Sequence, residues 1–269
     1  MKMANRLAAT TTSFAPYSLE EALEGIARAG YRFVELTAIR GIIEHVPLEA
    51  GPKDLGRVQR LLNRYALTPV ALSAHSNLMI SKGVKDAVRA LDLCERLGIG
   101  IMNTAVGGAE ETRENEAAFL ANIGKLADYA AQRDITITIE LHGDLTATGR
   151  TSRRLLKRVD RPNVRINYDT ANCEYFGDTR AEDDLPFAVP WMGLCHLKDK
   201  IGGHHVWNFP ALGRGHVDFK KLIGMLKRGR YTGPCSVEVE FQGNPWPSPP
   251  AVIKALEVSR RHLVRLGLS

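Results

Sequence analysis

The segments Ile135-Thr136-Ile137-Thr138-Ile139-Glu140, Val164-Arg165-Ile166-Asn167-Tyr168-Asp169, Gly193-Leu194-Cys195-His196 and Ser236-Val237-Glu238-Val239-Glu240 are short apolar runs that each close on an ionisable side chain. Runs of this length predict buried strands. They are read as strands over Thr136–Leu141, Val164–Tyr168, Gly193–Leu197 and Ser236–Glu240. Upstream, Leu7–Thr11, Phe33–Leu36, Pro69–Ser73 and Ile99–Ala105 have the same character, which brings the count to eight. Amphipathic stretches lie between them. The first opens on Ser18-Leu19-Glu20-Glu21, an N-cap serine with glutamate three residues on, and stops near Gly30. Others are predicted over Leu55–Tyr65, Val84–Leu97, Glu114–Arg133, Ser152–Val159, Glu182–Phe187, Phe219–Arg228 and Ala251–Leu266.

Strand and helix therefore alternate along the chain, and no Ser/Gly linker or composition shift divides it. This predicts a single (β/α)8 TIM barrel domain over residues 1–269. The alternative is an open, doubly wound sheet, but the first strand leads into no G-x-G-x-x-G loop. With 269 residues, 44% hydrophobic and 25% charged, the composition is that of a globular enzyme rather than a disordered or fibrous chain. The N-terminal residues lack a signal-peptide core, and no apolar run reaches membrane-spanning length, so a cytoplasmic protein is expected. Cys94, Cys173, Cys195 and Cys235 form no C-x-x-C pair, which argues against a disulfide framework or a zinc ribbon. The net charge of +6 would suit an anionic partner. However, Arg57, Arg60, Arg64, Arg153, Arg154 and Arg158 fall on predicted helices, where a solvated outer face explains them. No nucleic-acid or membrane partner is expected; a homo-oligomer is compatible with the sequence.

Active sites of such barrels form at the C-terminal ends of the strands. Glu140, Asp169, His196 and the pair Glu238/Glu240 occupy those ends, an oxygen-rich shell with one histidine. Such a shell suits one divalent ion, Mn²⁺, Mg²⁺ or Co²⁺, with Zn²⁺ also admitted. Glu238 and Glu240 are two apart and share a face, so residue spacing leaves open which of them is the ligand. His75 ends its strand, and His142 lies two residues beyond Glu140 on the same face, so both could reach substrate hydroxyls. Lys198, two residues beyond His196, could bring positive charge to the same mouth. Arg214 and His204-His205 lie in the Gly-rich loop from Lys200 to Gly215, which could act as a lid. Trp207 and Phe209 could wall a sugar face.

Across nearly the whole chain, the sequence resembles the xylose isomerase-like barrels, which include sugar isomerases, ketose 3-epimerases, inosose dehydratases and endonuclease IV. The resemblance is carried by Ile139-Glu140-Leu141-His142-Gly143, Asn167-Tyr168-Asp169-Thr170-Ala171-Asn172, Cys195-His196-Leu197-Lys198-Asp199 and Ser236-Val237-Glu238-Val239-Glu240-Phe241. It implies Glu140, Asp169, His196 and Glu238 as metal ligands, with Glu240 contacting the substrate or a ligand. It also implies Glu140 and Glu238 as the catalytic pair, one removing a proton alpha to a carbonyl and the other returning it. Asn172 joins His75, His142, Lys198, Arg214 and Glu240 as a substrate-binding candidate.

The expected activity is metal-dependent isomerisation or epimerisation of a keto sugar or related polyol ketone. A lyase dehydrating a keto-inositol or 3-keto sugar is the second reading, since loss of a beta hydroxyl after the same proton abstraction uses the same groups. A nuclease of the endonuclease IV kind would need further histidines for three zinc ions, but Asn172 stands at one of those places and Lys198-Asp199-Lys200 offers none at another. A non-catalytic barrel would not be expected to keep every ligand type. Four prolines in Gln242–Pro250 leave few N–H groups for an anion nest, which favours a neutral sugar over its phosphate.

Overall fold

A computed structural model describes residues 5–107, 113–241 and 245–268. Gln242, Gly243 and Asn244, at the head of the proline-rich segment invoked above, lie outside the described residues. The strands are β1 Leu7–Thr10, β2 Phe33–Ile39, β3 Ile43–Glu44, β4 Thr68–Ser73, β5 Ile101–Thr104, β6 Thr136–Glu140, β7 Val164–Asp169, β8 Met192–Leu197 and β9 Cys235–Val237. They hydrogen-bond in the order β1-β9-β8-β7-β6-β5-β4-β2, and β1 also pairs in parallel with β2, so the sheet closes. Closure into eight parallel strands makes a (β/α)8 barrel and excludes the open sheet. β3 is a short antiparallel addition to β2 at the rim.

The helices are α1 Leu19–Arg28, α2 Pro52–Arg64, α3 Ser81–Leu97, α4 Arg113–Ala131, α5 Gly149–Val159, α6 Asn172–Gly177, α7 Ala181–Ala188, α8 Phe219–Arg228 and α9 Pro249–Arg265. α1 begins where the sequence predicts: Ser18 N–H donates to Glu21 at 2.8 Å and Glu21 N–H to Ser18 Oγ at 3.3 Å, a reciprocal capping box. At the start of α5, Asp184 accepts the Gly149 and Arg150 N–H groups and the Tyr168 hydroxyl, tying that helix to β7.

Differences from the predicted boundaries have local causes. β5 starts at Ile101 rather than Ile99, because Gly98 takes a left-handed φ of +67° and Ile99 N–H returns to Cys94 O, so Ile99 closes α3. β2 runs on to Ile39 because β3 pairs with its extension. β9 stops at Val237, yet Glu238 N–H still bonds Leu197 O at 3.0 Å and Glu240 bridges to Phe209, so the ladder continues irregularly past the strand. α6 was not predicted; it starts directly after Asp169, which accepts the Ala171 and Asn172 N–H groups.

Side-chain alternation along the strands separates two environments. Ile137, Ile139, Ile166, Leu36 and Val237 are fully buried in the apolar core, each contributing about 1.5–3 kcal/mol of burial free energy. The other face is polar and just as buried. There Thr138 donates to Asn103, Asn103 to Ser73, and Thr11 to Thr37, at 2.9–3.2 Å. This cross-strand network lies beneath the ligand candidates and satisfies polar groups that would otherwise be costly to bury.

Candidate metal centre

Glu140 closes β6, Asp169 closes β7, His196 lies one residue before the end of β8, and Glu238 follows β9 directly. One ligand atom from each lies within 4.8 Å of every other, and all four residues are buried. Glu240 is not in that group. Its carboxylate lies 2.6 Å from Lys198 Nζ, whereas Glu238 Oε2 lies 3.5 Å from His196 Nδ1. Both carboxylates reach the barrel mouth and Lys198, at 3.2 Å from Glu238 and 2.6 Å from Glu240, but only Glu238 stands in the cluster with Glu140, Asp169 and His196.

Two buried atoms show that the cluster fits a cation. His196 Nε2 is 3.0 and 3.1 Å from the two oxygens of Glu35, and Nδ1 faces Glu140 and Glu238; these three carboxylates outweigh burial and raise the imidazole pKa well above its ordinary value, so Nδ1 offers a lone pair once a cation displaces its proton. Asp169 accepts two backbone N–H groups on Oδ1. Asp169 Oδ2 and His196 Nδ1 are both buried without a hydrogen-bond partner. A lone pair on each, beside two more carboxylates, is the donor set of a hard or borderline divalent ion.

The electrostatics are those of crowded, buried charge. Burial pushes Asp169 up to about 6 against the opposing pull of Lys198. It likewise pushes Glu240 up to about 7, again against Lys198. Glu238 goes the other way: burial is outweighed by Lys198 and His196, which hold it down at about 2. For Glu140 too, burial is overcome, here by His196 and His75, and the carboxyl sits well below its usual range. Glu140 also accepts from Asn103 at 2.8 Å, Asn167 at 3.1 Å and Asn172 at 3.3 Å.

A cavity of about 800 Å³ opens over this cluster, lined at its polar end by His75, Glu140, His142, Asn172, Lys198, Glu238 and Glu240. His75 Nε2 is 3.1 Å from Glu140. His142 packs against Phe176 at 4.7 Å between ring centroids; its ring is exposed at the cavity, and the protein enclosing that cavity lowers its pKa, which favours a neutral imidazole. Asn172 Oδ1 faces Lys198 Nζ at 3.4 Å. His205 and Trp207 line the cavity from the loop after β8. Arg214 is not brought to this wall: it is exposed, and its backbone N–H is held by Asp199. His45 also lies elsewhere, with Nε2 3.0 Å from Tyr17 O.

Sequence reasoning passed over Glu35, Asn103 and Asn167, all fully buried and all in contact with a ligand candidate. Signals were present for two of them: Asn167 lies two residues before Asp169 and so shares its face. For Glu35, an acidic residue inside the apolar run Phe33-Val34-Glu35-Leu36 was the cue.

The family model described as xylose isomerase-like TIM barrel matches residues 23–262. The chain belongs to this family. Among its relatives, the L-ribulose 3-epimerase of Methylomonas sp. (strain DH-1) is 28% identical over 237 residues, 81% of this chain and 77% of that protein. The 3-dehydroshikimate dehydratase of Pseudomonas aeruginosa is 25% identical over 241 residues, 84% of this chain but 37% of the longer relative. A solved D-allulose 3-epimerase from Methylomonas sp. superposes with a TM-score of 0.79 at 20% identity, covering 99% of each chain, which shows the shared fold. Ketose 3-epimerases thus stand among the homologues in sequence, and one shares the fold. Among the described residues, no helix is long and apolar enough to cross a membrane.

Proposed function

We propose that this xylose isomerase-like barrel is a divalent-metal-dependent epimerase or isomerase of a keto sugar or related polyol ketone. The observation that carries this reading is the convergence of Glu140, Asp169, His196 and Glu238 on one point at the floor of the cavity, with Glu140 and Glu238 both open to it. Homology to ketose 3-epimerases supports it.

In this reading Glu140, Asp169, His196 Nδ1 and Glu238 hold the ion, which when bound supplies Lewis-acid polarisation of a substrate carbonyl. Glu140 and Glu238 stand on β6 and just after β9, on either side of the strands bearing Asp169 and His196. One carboxylate removes the proton alpha to the carbonyl and the other returns a proton to that carbon. Lys198 Nζ, 3.2 Å from Glu238, restrains that carboxylate and offers positive charge to developing oxyanion character. His75, donating to Glu140, and neutral His142 are placed to contact hydroxyls. Manganese, magnesium and cobalt all suit the donor set.

The substrate assigned to this site is a neutral sugar. Arg214 stands away from the cavity, and the Lys200 ammonium is occupied by backbone carbonyls. Arg40, which lines the cavity, is tied to Glu49 and Asp86. Among the described cavity-lining cations, Lys82 is left at the rim without an acidic partner, a single exposed contact for a phosphate.

The test is a screen of ketoses, ketose phosphates and inososes with Mn²⁺, Co²⁺ or Mg²⁺ added after chelation, with products read by mass and NMR. Epimerisation in deuterated water conserves carbon and oxygen and places deuterium at the reacting carbon. Products lighter by one water would favour the dehydratase reading, which the similarity to 3-dehydroshikimate dehydratase keeps open. Undiminished turnover after complete removal of metal would rule out the proposal.

A further inference from the structure

The loop after β8 presents a run of exposed residues, 201–208, with no core burial to hold it. Beneath it, the Lys200 side chain is fully buried. Its ammonium lies within hydrogen-bond distance of four backbone carbonyls, which share its three N–H groups: Ile201 O at 3.1 Å, Gly202 O at 3.1 Å, Gly203 O at 3.0 Å and Val206 O at 2.6 Å. Convergent carbonyl oxygens are the usual environment of a bound cation, and here the chain supplies its own. Gly202 at φ +81° and His205 at φ +56° turn the backbone so that the carbonyls point inward.

The neighbouring residue pins the loop's return with the opposite charge. Asp199, fully buried, accepts backbone N–H groups from Lys200 and Val217 on Oδ1 and from Gly213, Arg214 and Gly215 on Oδ2, at 2.8–3.1 Å. A side chain on Gly215 would meet Asp199 Oδ1 at 2.3 Å, so the backbone approaches as closely as glycine allows. Between these two anchors the chain carries His205 and Trp207, which line the cavity and pack on Tyr175 with ring centroids 5.5 and 5.6 Å away.

We infer that Lys200 is a positioning residue: its ammonium is an internal cation that gathers loop 201–206 and thereby sets His205 and Trp207 as one wall of the cavity. A lysine serves where arginine would not, because a compact ammonium can face four convergent oxygens and a planar guanidinium cannot. The kinetic part of this inference rests on the cavity being a sugar site. The conformational part does not.

The experiment uses the full chain with Lys200→Met, which keeps the buried stem and removes the charge, and Lys200→Ala, which empties the cage. Chymotryptic cleavage after Trp207 is followed by mass spectrometry, and Trp207 emission is read against a Trp207→Phe blank. Cleavage in Lys200→Met should be about tenfold faster than in the wild type, because an opened loop is the cleavable form. Potassium or methylammonium should slow cleavage of Lys200→Ala by about threefold and leave the wild type unchanged. For any ketose the wild type turns over, KM should rise about tenfold in Lys200→Met with a much smaller change in kcat, since a wall that holds the sugar is lost while the proton-transfer groups remain. Wild-type cleavage in Lys200→Met, or failure of both cations to slow cleavage of Lys200→Ala, would overturn the inference. A wild type inactive on every sugar would count against the proposed function and leave the loop result standing.

Discussion

Glu35 grips His196 Nε2 with both carboxylate oxygens, at 3.0 and 3.1 Å, although 161 residues separate the two in the chain. The bond turns Nδ1 toward Glu140 and Glu238 and so sets which nitrogen would meet a bound ion once its proton is displaced. A partner of this kind orients a ligating imidazole and raises its basicity. Glu35→Gln should therefore weaken metal affinity by about 10–100-fold while leaving the four cluster residues in place. Titration calorimetry with Mn²⁺, paired with far-UV circular dichroism, would test this. Wild-type affinity in a folded Glu35→Gln protein would show that the pairing only fills space.

The two glutamates of the cluster should respond differently from their neighbour. Glu140→Gln and Glu238→Gln should each lower kcat by about 10³-fold, because an amide cannot accept the alpha proton. Glu240→Gln should cost about tenfold, through loss of the Lys198 ion pair rather than of a proton acceptor. Steady-state kinetics on one ketose would rank the three, and a Glu240 effect larger than that of Glu238 would reverse their assigned roles.

His45 makes stability depend on pH away from the site. Burial lowers its pKa below the ordinary imidazole value, and Nδ1 is buried without a partner, so the folded protein holds it neutral. The unfolded chain binds a proton at about pH 6.5, more readily than the folded protein does. The stability linked to neutral His45 is thus fully present above that pH and is lost as pH falls toward the lowered native value. Between about pH 7.5 and about pH 5.5 the wild type should lose roughly 2 °C more in Tm than His45→Gln, whose amide can still donate to Tyr17 O. Parallel melting curves for the two proteins would expose the sign.

Gly83 sits at the start of α3, where a Cβ would fall 1.9 Å from Asn77 O. That contact is with backbone and cannot be relieved by a rotamer change. Gly83→Ala should destabilise the fold by about 1–3 kcal/mol. Because Asn77 lines the cavity, it should also disturb the wall near Ser76. Thermal melting gives the first quantity, and KM on an active substrate gives the second.

The barrel and the four residues of the proposed metal site are legible in local pattern. Alternating strands and helices exhaust the chain, and Glu140, Asp169, His196 and Glu238 sit at or just past strand ends, where the fold itself directs side chains to one mouth. Such positions are legible because strand periodicity and strand ends are properties of a few consecutive residues. Tertiary structure alone decided three further matters. It set Glu238 within the cluster and Glu240 against Lys198, a difference that spacing alone left open because the two share a face. It brought Glu35 from β2 to His196 on β8, a pairing that exists only once the closed barrel places their inward faces together. It also turned Lys200 inward beneath its own loop and left Arg214 outside, although both are cations on one Gly-rich stretch with equal apparent claim to the mouth. The direction of a loop side chain is set by which backbone carbonyls and N–H groups need a partner, and that is known only when the loop has closed.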